Sequence, residues 1–375
     1  CAAPDRVMPV AVFAVSGHGF GHASRQTEII RALHERRPDV EIDVRTSAPR
    51  WFFERALDFP FSFETVELDT GVVQIDSLEV DVRTSITRAA AFHRALDERV
   101  DAEARALTAR GANLVVGDVP PLACAAAARA GIPSMVVGNF TWDWIYAGYP
   151  ETAALAPDLV RTLRDAYSRA TAACRLPLHG GFGAFETIVD VPLVARRSTR
   201  KPGEVRRQLD LPPDAALALF AFGRYGIGTV DWSEVARIRR CRVVFTSGPH
   251  PGGGPDGHSF ATFDERTLAA QDIAFEDLVA AVDVVVTKPG YGIIAECAVN
   301  DTAMLYTSRG RFPEYEVLVA GLPALTRAAF IGHDDLFTGR WGGHLDRLLA
   351  QPRPRPPAAD GAQVVADALA ALLSR

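Results

Sequence analysis

The stretch Val282–Tyr306, VDVVVTKPGYGIIAECAVNDTAMLY, constrains the fold more than any other part of the chain. Val282 to Val286 is a short β-branched run with the character of a fully buried strand. A turn follows, Lys288-Pro289-Gly290-Tyr291-Gly292, and Ile293 to Val299 reads as a helix with Glu296 one turn in. Thr302 to Tyr306 returns as the next strand. Such a glycine turn delivers the backbone into a helix N-terminus, where N–H groups converge and the helix dipole favours an anion. Glu296 stands just behind, leaning back toward the turn. A phosphate cradle with a carboxylate that can accept from two sugar hydroxyls is the outline of a nucleotide site.

The rest of the chain repeats this alternation. Val10–Val15 is a buried strand that runs into SGHGFGHASR, and Gln26 to Arg36 has helical spacing. Strands are expected at 39–45, 61–68, 113–117 and 134–137, with helices at 51–57 and 122–130 and a long helix, or two, over 84–110. Residues 71–82 read as an irregular loop over a cleft. ARRSTRKPG, residues 195–203, is the linker candidate, because a fresh alternation starts beyond it: a strand at 216–221 ending in Phe222-Gly223-Arg224, and another at 242–246. The 375 residues suit two cores rather than one. The expected fold class is α/β, two doubly wound Rossmann-like domains, residues 8–195 and 204–350, with a final helix over 360–375.

Composition excludes several classes. With 23% charged residues, a net charge of −6 and no long basic run, nucleic acid is not an expected partner. No window approaches the length of a membrane span. The five cysteines are scattered without metal spacing, and the four other than Cys1 sit in or beside apolar runs, as buried thiols in a reducing cytoplasm would. Residues 1–7 read as sequence upstream of a natural start at Met8; a processed lipoprotein also begins with Cys, but no signal segment supports that.

Four motifs occur in order: GHGFGHASR, DVPPLACAAAARAGIPS, NFTWDWIYAGY and KPGYGIIAE. With them the chain resembles the glycosyltransferase-like module at the N-terminus of L-arabinokinases. More distantly it resembles the GT-B nucleotide-sugar glycosyltransferases, including the lipid II-forming N-acetylglucosaminyltransferase and monogalactosyldiacylglycerol synthase. The resemblance implies two domains facing across a cleft, the second holding the donor diphosphate and the first shaping the acceptor side, with the last helix returning to the first domain. No sugar-kinase glycine loop follows residue 350, so sugar phosphorylation is not carried over.

The resemblance places the final histidine of the relatives' glycine loop on His22. An inverting transferase needs a base for the acceptor hydroxyl, which suits His22 or His18; bracing of the loop is the competing role. Arg25 would neutralise phosphate or lie on the surface. Asp118, after a strand, orients a histidine, touches acceptor or caps a helix. Gly19, Gly21, Asn139, Trp142 and Asp143 form the acceptor side, where aromatic rings beside a carboxylate suit a sugar; core packing is the competing reading of Trp142 and Trp144, and the preferred one for Trp144. In the second domain Gly290, Tyr291 and Gly292 form the cradle, Lys288 adds charge or points away, and Gly223 and Arg224 meet the donor, although relatives have glycine at the Arg224 position. Glu296 is the ribose carboxylate. Glu314, Arg309 and Arg311 lie where relatives grip the donor sugar. No Asp-x-Asp or HExxH pattern is present, so neither metal nor cofactor is expected. The implied partners are a nucleoside diphosphate-sugar, UDP-type favoured, and a hydroxyl acceptor. A silent nucleotide-sugar sensor and a nucleotide-sugar epimerase on the same fold are the alternatives.

Overall fold

The computed structural model describes residues 8–223, 226–246 and 260–374. Two compact units divide them: unit 1 takes residues 8–73, 81–195 and 358–374, and unit 2 takes 74–80 and 196–357.

Unit 1 holds strands β1 (Val10–Val15), β2 (Glu41–Thr46), β3 (Ser62–Thr65), β6 (Ala112–Asp118), β7 (Ser134–Phe140), β8 (Ala172–Gly180) and β9 (Ile188–Asp190). They form one sheet in the order β3-β2-β1-β6-β7-β8-β9, parallel at every pairing. Two short strands, β4 (Val73–Gln74) and β5 (Val80–Asp81), lie outside it. β1 and β7 are buried along almost their whole length rather than at alternate residues, as in a parallel sheet covered on both faces. The span 82–109 is two helices, Val82–Arg94 and Leu96–Ala109. The closing helix, Gly361–Leu373, packs on the helix Phe20–Arg36 and buries Val365, Ala366 and Leu369 completely. At Gly361 a Cβ would meet the Pro192 carbonyl oxygen at 2.2 Å, so only glycine fits that approach.

Unit 2 holds β10 (Ala216–Ala221), β11 (Cys241–Phe245), β12 (Phe260–Thr262), β13 (Val284–Thr287), β14 (Ala303–Tyr306) and β15 (Ala328–Phe330). The order is β12-β11-β10-β13-β14-β15, again parallel. Aromatic packing dominates its core. Phe220 stacks on Trp341 at 5.9 Å and Trp232 meets Phe245 edge-on at 5.0 Å, contacts worth about 0.5–1.5 kcal/mol each beyond their area. The expected loop 71–82 is not a simple excursion. Its central part belongs to unit 2, where Leu78 joins the core and the Ser77 N–H donates to the Gly226 carbonyl at 3.0 Å. Backbone anchoring of this kind leaves no periodicity for a sequence to display.

In each sheet the strand order reverses direction once, between β1 and β6 in unit 1 and between β10 and β13 in unit 2. In open parallel sheets ligands bind at the carboxyl ends beside such a switch point. The glycine motifs leave these strands: Ser16–His22 after β1, Asp118 at the end of β6, Gly223 after β10, and Lys288–Gly292 after β13.

Candidate active site and nucleotide turn

In unit 1 the glycine loop is shorter than its sequence suggested. The helix begins at Phe20, not Gln26, so His22 and Arg25 occupy its first turns. Gly21 disguised this start, because glycine is a poor helix former. Gly19, at φ 87, makes the turn into the helix. His22 and Arg25 are three residues apart on one helix face, and both point at Asp118.

Asp118 is fully buried. Its Oδ1 lies 2.8 Å from His22 Nδ1 and accepts from Arg25 Nη2 at 2.6 Å; its Oδ2 accepts from Arg25 Nε and from Gln26 Nε2, both at 2.8 Å. Burial pushes this carboxyl upward, but the charges and hydrogen bonds of Arg25 and His22 outweigh it and hold the group well below the ordinary carboxylate range. Asp118 is therefore ionised and can only accept. His22 Nδ1 must then carry a proton, so that in the neutral ring the lone pair lies on Nε2. Arg25 Nη2 lies 3.2 Å from the same Nδ1, a close approach of two donors rather than a second bond. Neither role expected of Arg25 survives, phosphate neutraliser or surface cation: it is 4% exposed and its fork is spent on Asp118, with Nη1 donating to Asn139 Oδ1 at 3.0 Å. Nor does Asp118 cap a helix, since Pro120 is the N-cap of the following one.

A second buried carboxylate, Asp69, stands nearby and carried no motif of its own. Its Oδ1 accepts from Ser16 Oγ at 3.0 Å and its Oδ2 from Trp142 Nε1 at 2.8 Å. Burial raises it to about 6, against the lowering pull of Trp142, His22 and Ser16. Asp69 follows β3 at the same carboxyl edge, the one signal that could have found it. His18 lies edge-on to Trp142 at 5.6 Å, and a Cβ at Gly71 would strike its ring. Of the two readings of Trp142, the structure favours core packing: the ring is buried with Phe140, Tyr146 and His18 around it, whereas Trp144 is partly exposed and lies against Gly180 and Gly181. Asp143 is buried too and accepts from Arg164 Nε at 3.0 Å. Asn139 Nδ2 and Gln26 Oε1 are buried with no hydrogen-bond partner among the described residues.

In unit 2 the turn after β13 enters the helix Tyr291–Val299 at Gly290, and no side chain caps it. The N–H groups of such a helix N-terminus, with the helix dipole, favour an anion. Tyr291 is buried, so it serves the turn through its backbone; Gly290 and Gly292 remain partly open. Thr287 Oγ1 donates to the Ala221 carbonyl at 2.5 Å, tying the end of β13 to the end of β10 just before Gly223, which takes φ 73. Arg224 lies outside the described residues.

Cations gather at this turn. Burial lowers the Lys288 ammonium to about 7, assisted by Arg309 and opposed by Glu314. Arg309 is buried, lies 3.6 Å over the Phe312 ring, donates from Nη1 to Glu314 Oε1 at 2.6 Å and approaches the Pro289 carbonyl at 3.4 Å. The structure thus brings Lys288, Arg309 and Glu314 together, while Arg311 is exposed. Glu296, 3% exposed, is bonded to Arg196, a residue that no sequence signal singled out.

No protein-family model matches the chain. Over 347 residues, 91% of its length, it is 32% identical to L-arabinokinase of Arabidopsis thaliana, and it spans only 32% of the length of that relative. Solved structures align along nearly all of it. One is the calicheamicin glycosyltransferase, with TM-score 0.62, 18% identity and 99% of both chains covered. Another is a UDP-glucosyltransferase from Polygonum tinctorium capable of glucosylating indoxyl, with TM-score 0.62, 15% identity and all of both chains covered. A third, from Listeria monocytogenes, is described as a UDP-N-acetylglucosamine 2-epimerase, with TM-score 0.58, 14% identity and 98% and 96% of the two chains covered. Among the described residues no helix is long and apolar enough to cross a membrane. The chain has the GT-B fold of nucleotide-sugar glycosyltransferases and is similar in sequence to part of L-arabinokinase.

Proposed function

We propose that the chain is a glycosyltransferase that moves a sugar from a nucleoside diphosphate-sugar, UDP-type favoured, to a hydroxyl, with inversion and without a metal ion. The observation that carries this reading is the 2.8 Å contact between His22 Nδ1 and Asp118 Oδ1. With Nδ1–H committed to an ionised carboxylate, Nε2 is the basic nitrogen. In the proposed step Nε2 takes the acceptor hydroxyl proton as that oxygen bonds to the anomeric carbon. The bond from the anomeric carbon to the phosphate oxygen breaks, and the nucleoside diphosphate leaves with the electron pair. Unit 1 supplies the base. Unit 2 holds the donor: the N–H groups entering the helix Tyr291–Val299, with Lys288 and Arg309, stabilise the leaving diphosphate, and Glu296 accepts from the ribose. A base of this kind contributes about 10² to 10⁴ in rate.

The test is consumption of UDP-sugars, with and without added acceptors, by wild type and His22→Ala. A loss of about 10²-fold or more with nucleotide binding retained is expected. Equal turnover in the two proteins would remove His22 from the mechanism. Tight nucleotide binding with no turnover in wild type would favour a sensor. The likeness to the Listeria protein keeps an epimerase as the second reading, and isotope exchange at the sugar carbons would expose it.

A further inference from the structure

The carboxylate that the proposed donor site requires is held by an arginine from the segment linking β9 to β10. Arg196 donates to Glu296 Oε1 from Nε at 2.8 Å and from Nη2 at 2.5 Å. Its Nη1 lies 3.1 Å from Glu276 Oε2, and its guanidinium carbon 5.9 Å from the Phe275 ring centroid. Glu276 and Phe275 open the helix Phe275–Ala281, which precedes β13. The three charged side chains are mostly withdrawn from water, at 16%, 4% and 14% exposure for Arg196, Glu296 and Glu276.

The backbone of Arg196 is pinned as well. Asn300 Nδ2 donates to the carbonyls of Arg196 and Glu296, at 3.1 and 2.9 Å. The Ser198 N–H donates to Asn300 Oδ1 at 2.9 Å, and Ser198 Oγ to Asp277 Oδ1 at 2.6 Å. Both donors meet the same oxygen, so the guanidinium, itself held by Glu276 and by its pinned backbone, fixes the position of Oε1 and with it the rotamer of Glu296.

The charge pattern along the nucleotide turn is segregated. Its first residues stand with Lys288 and the Arg309–Glu314 pair, whereas at Glu296 one guanidinium, Arg196, faces two carboxylates, Glu296 and Glu276. The cationic end suits phosphate. The acidic end suits a neutral group with several O–H donors. We infer that Arg196 is a positioning residue that sets Glu296 to accept from the vicinal 2′- and 3′-hydroxyls of a ribose, so that the site selects ribonucleotides over 2′-deoxyribonucleotides. This rests on the reading of unit 2 as a nucleotide-sugar site. Loss of the 2′-hydroxyl leaves a buried acceptor without its donor, which costs about tenfold or more in affinity.

The test is calorimetric titration of UDP, dUDP, GDP and dGDP into wild type, Arg196→Met and Arg196→Lys, each checked for folding by circular dichroism. Wild type is expected to bind the ribo form of its preferred base about tenfold more tightly than the deoxy form. Arg196→Met brings that ratio toward one by weakening the ribo ligand alone, and Arg196→Lys falls between, because one ammonium lacks the planar set of donors that spans Glu296 and Glu276. A general structural loss would weaken both forms alike and leave the ratio unmoved; an unmoved ratio overturns the inference. So does equal ribo and deoxy affinity in wild type, or tighter UDP binding by Arg196→Met, which would make Arg196 a competitor of the ribose. If Arg196→Met does not fold, an unmoved ratio in Arg196→Lys overturns it. Failure of wild type to bind any of the four probes is a different result, and sinks the nucleotide reading itself.

Discussion

Arg25 donates to both oxygens of Asp118, from Nε to Oδ2 at 2.8 Å and from Nη2 to Oδ1 at 2.6 Å. The pair is almost wholly desolvated, so its removal is felt twice, in lost bonds and in a carboxylate left buried without its cation. Arg25→Met is expected to destabilise the protein by about 3–5 kcal/mol. Arg25→Lys should recover only part, since lysine cannot make the fork. Urea unfolding of the three proteins measures this, and a change near zero would mean that Gln26 and His22 satisfy Asp118 alone.

Asp118→Asn isolates the chemistry from the charge. An amide can donate to His22 Nδ1, which moves the ring proton to Nε2 and blocks the base. Donor turnover should fall about 10²- to 10⁴-fold, while UDP affinity, a property of unit 2, should hold. A variant that turns over as wild type does would show that the His22 tautomer is not set by Asp118.

Asp69 gives a pH dependence. Its folded value, raised to about 6 from 3.8, means that the folded protein binds more protons between those values than the unfolded chain does. Stability from this group is therefore full below about pH 4 and is lost as pH rises through 6, by about 3 kcal/mol in all. Asp69→Asn keeps an acceptor for Trp142, and the Ser16 hydroxyl can turn to accept, so the variant should show a flatter stability profile over pH 4 to 6 and gain on wild type at pH 7. Denaturant midpoints across that range measure it; parallel profiles would contradict the assignment.

These relationships separate what the sequence displays from what it hides. Buried parallel strands are visible because both faces are covered, so Val10–Val15 and Val284–Thr287 stand out as apolar runs, and each ends in glycines that turn the chain into a helix. The candidate donor turn is therefore legible almost residue by residue. The partners of the charged groups are not. Arg25 reaches Asp118 across 93 residues because β1 pairs with β6, and Arg196 reaches Glu296 across 100. Such pairings follow from strand order and from the path of the connecting segment, which local periodicity does not encode. Asp69 is hidden for the same reason, and with it the choice between the two readings of Trp142, whose ring nitrogen donates to Asp69.

Lys288 links nucleotide binding to protons. Its ammonium is lowered to about 7 by burial and by Arg309, so the empty site is largely neutral there above pH 7. A bound diphosphate favours the charged form and draws a proton in. Affinity for UDP should then fall as pH rises from 7 to 9, by up to about tenfold per unit for one linked proton, although the nucleotide's own phosphate has finished ionising. Titrations at about pH 8 in two buffers of different ionisation enthalpy should show proton uptake in wild type and none in Lys288→Met. Uptake that persists in the variant would place the proton elsewhere.

The central claim, that unit 2 holds a nucleoside diphosphate with Glu296 on its ribose, is tested most directly by calorimetric titration of UDP, GDP and dTDP into wild type and Glu296→Ala. Wild type is expected to bind at least one of the three, UDP foremost, and the variant to bind it about tenfold or more weakly. Absence of binding by wild type, or equal binding by the variant, would contradict the claim.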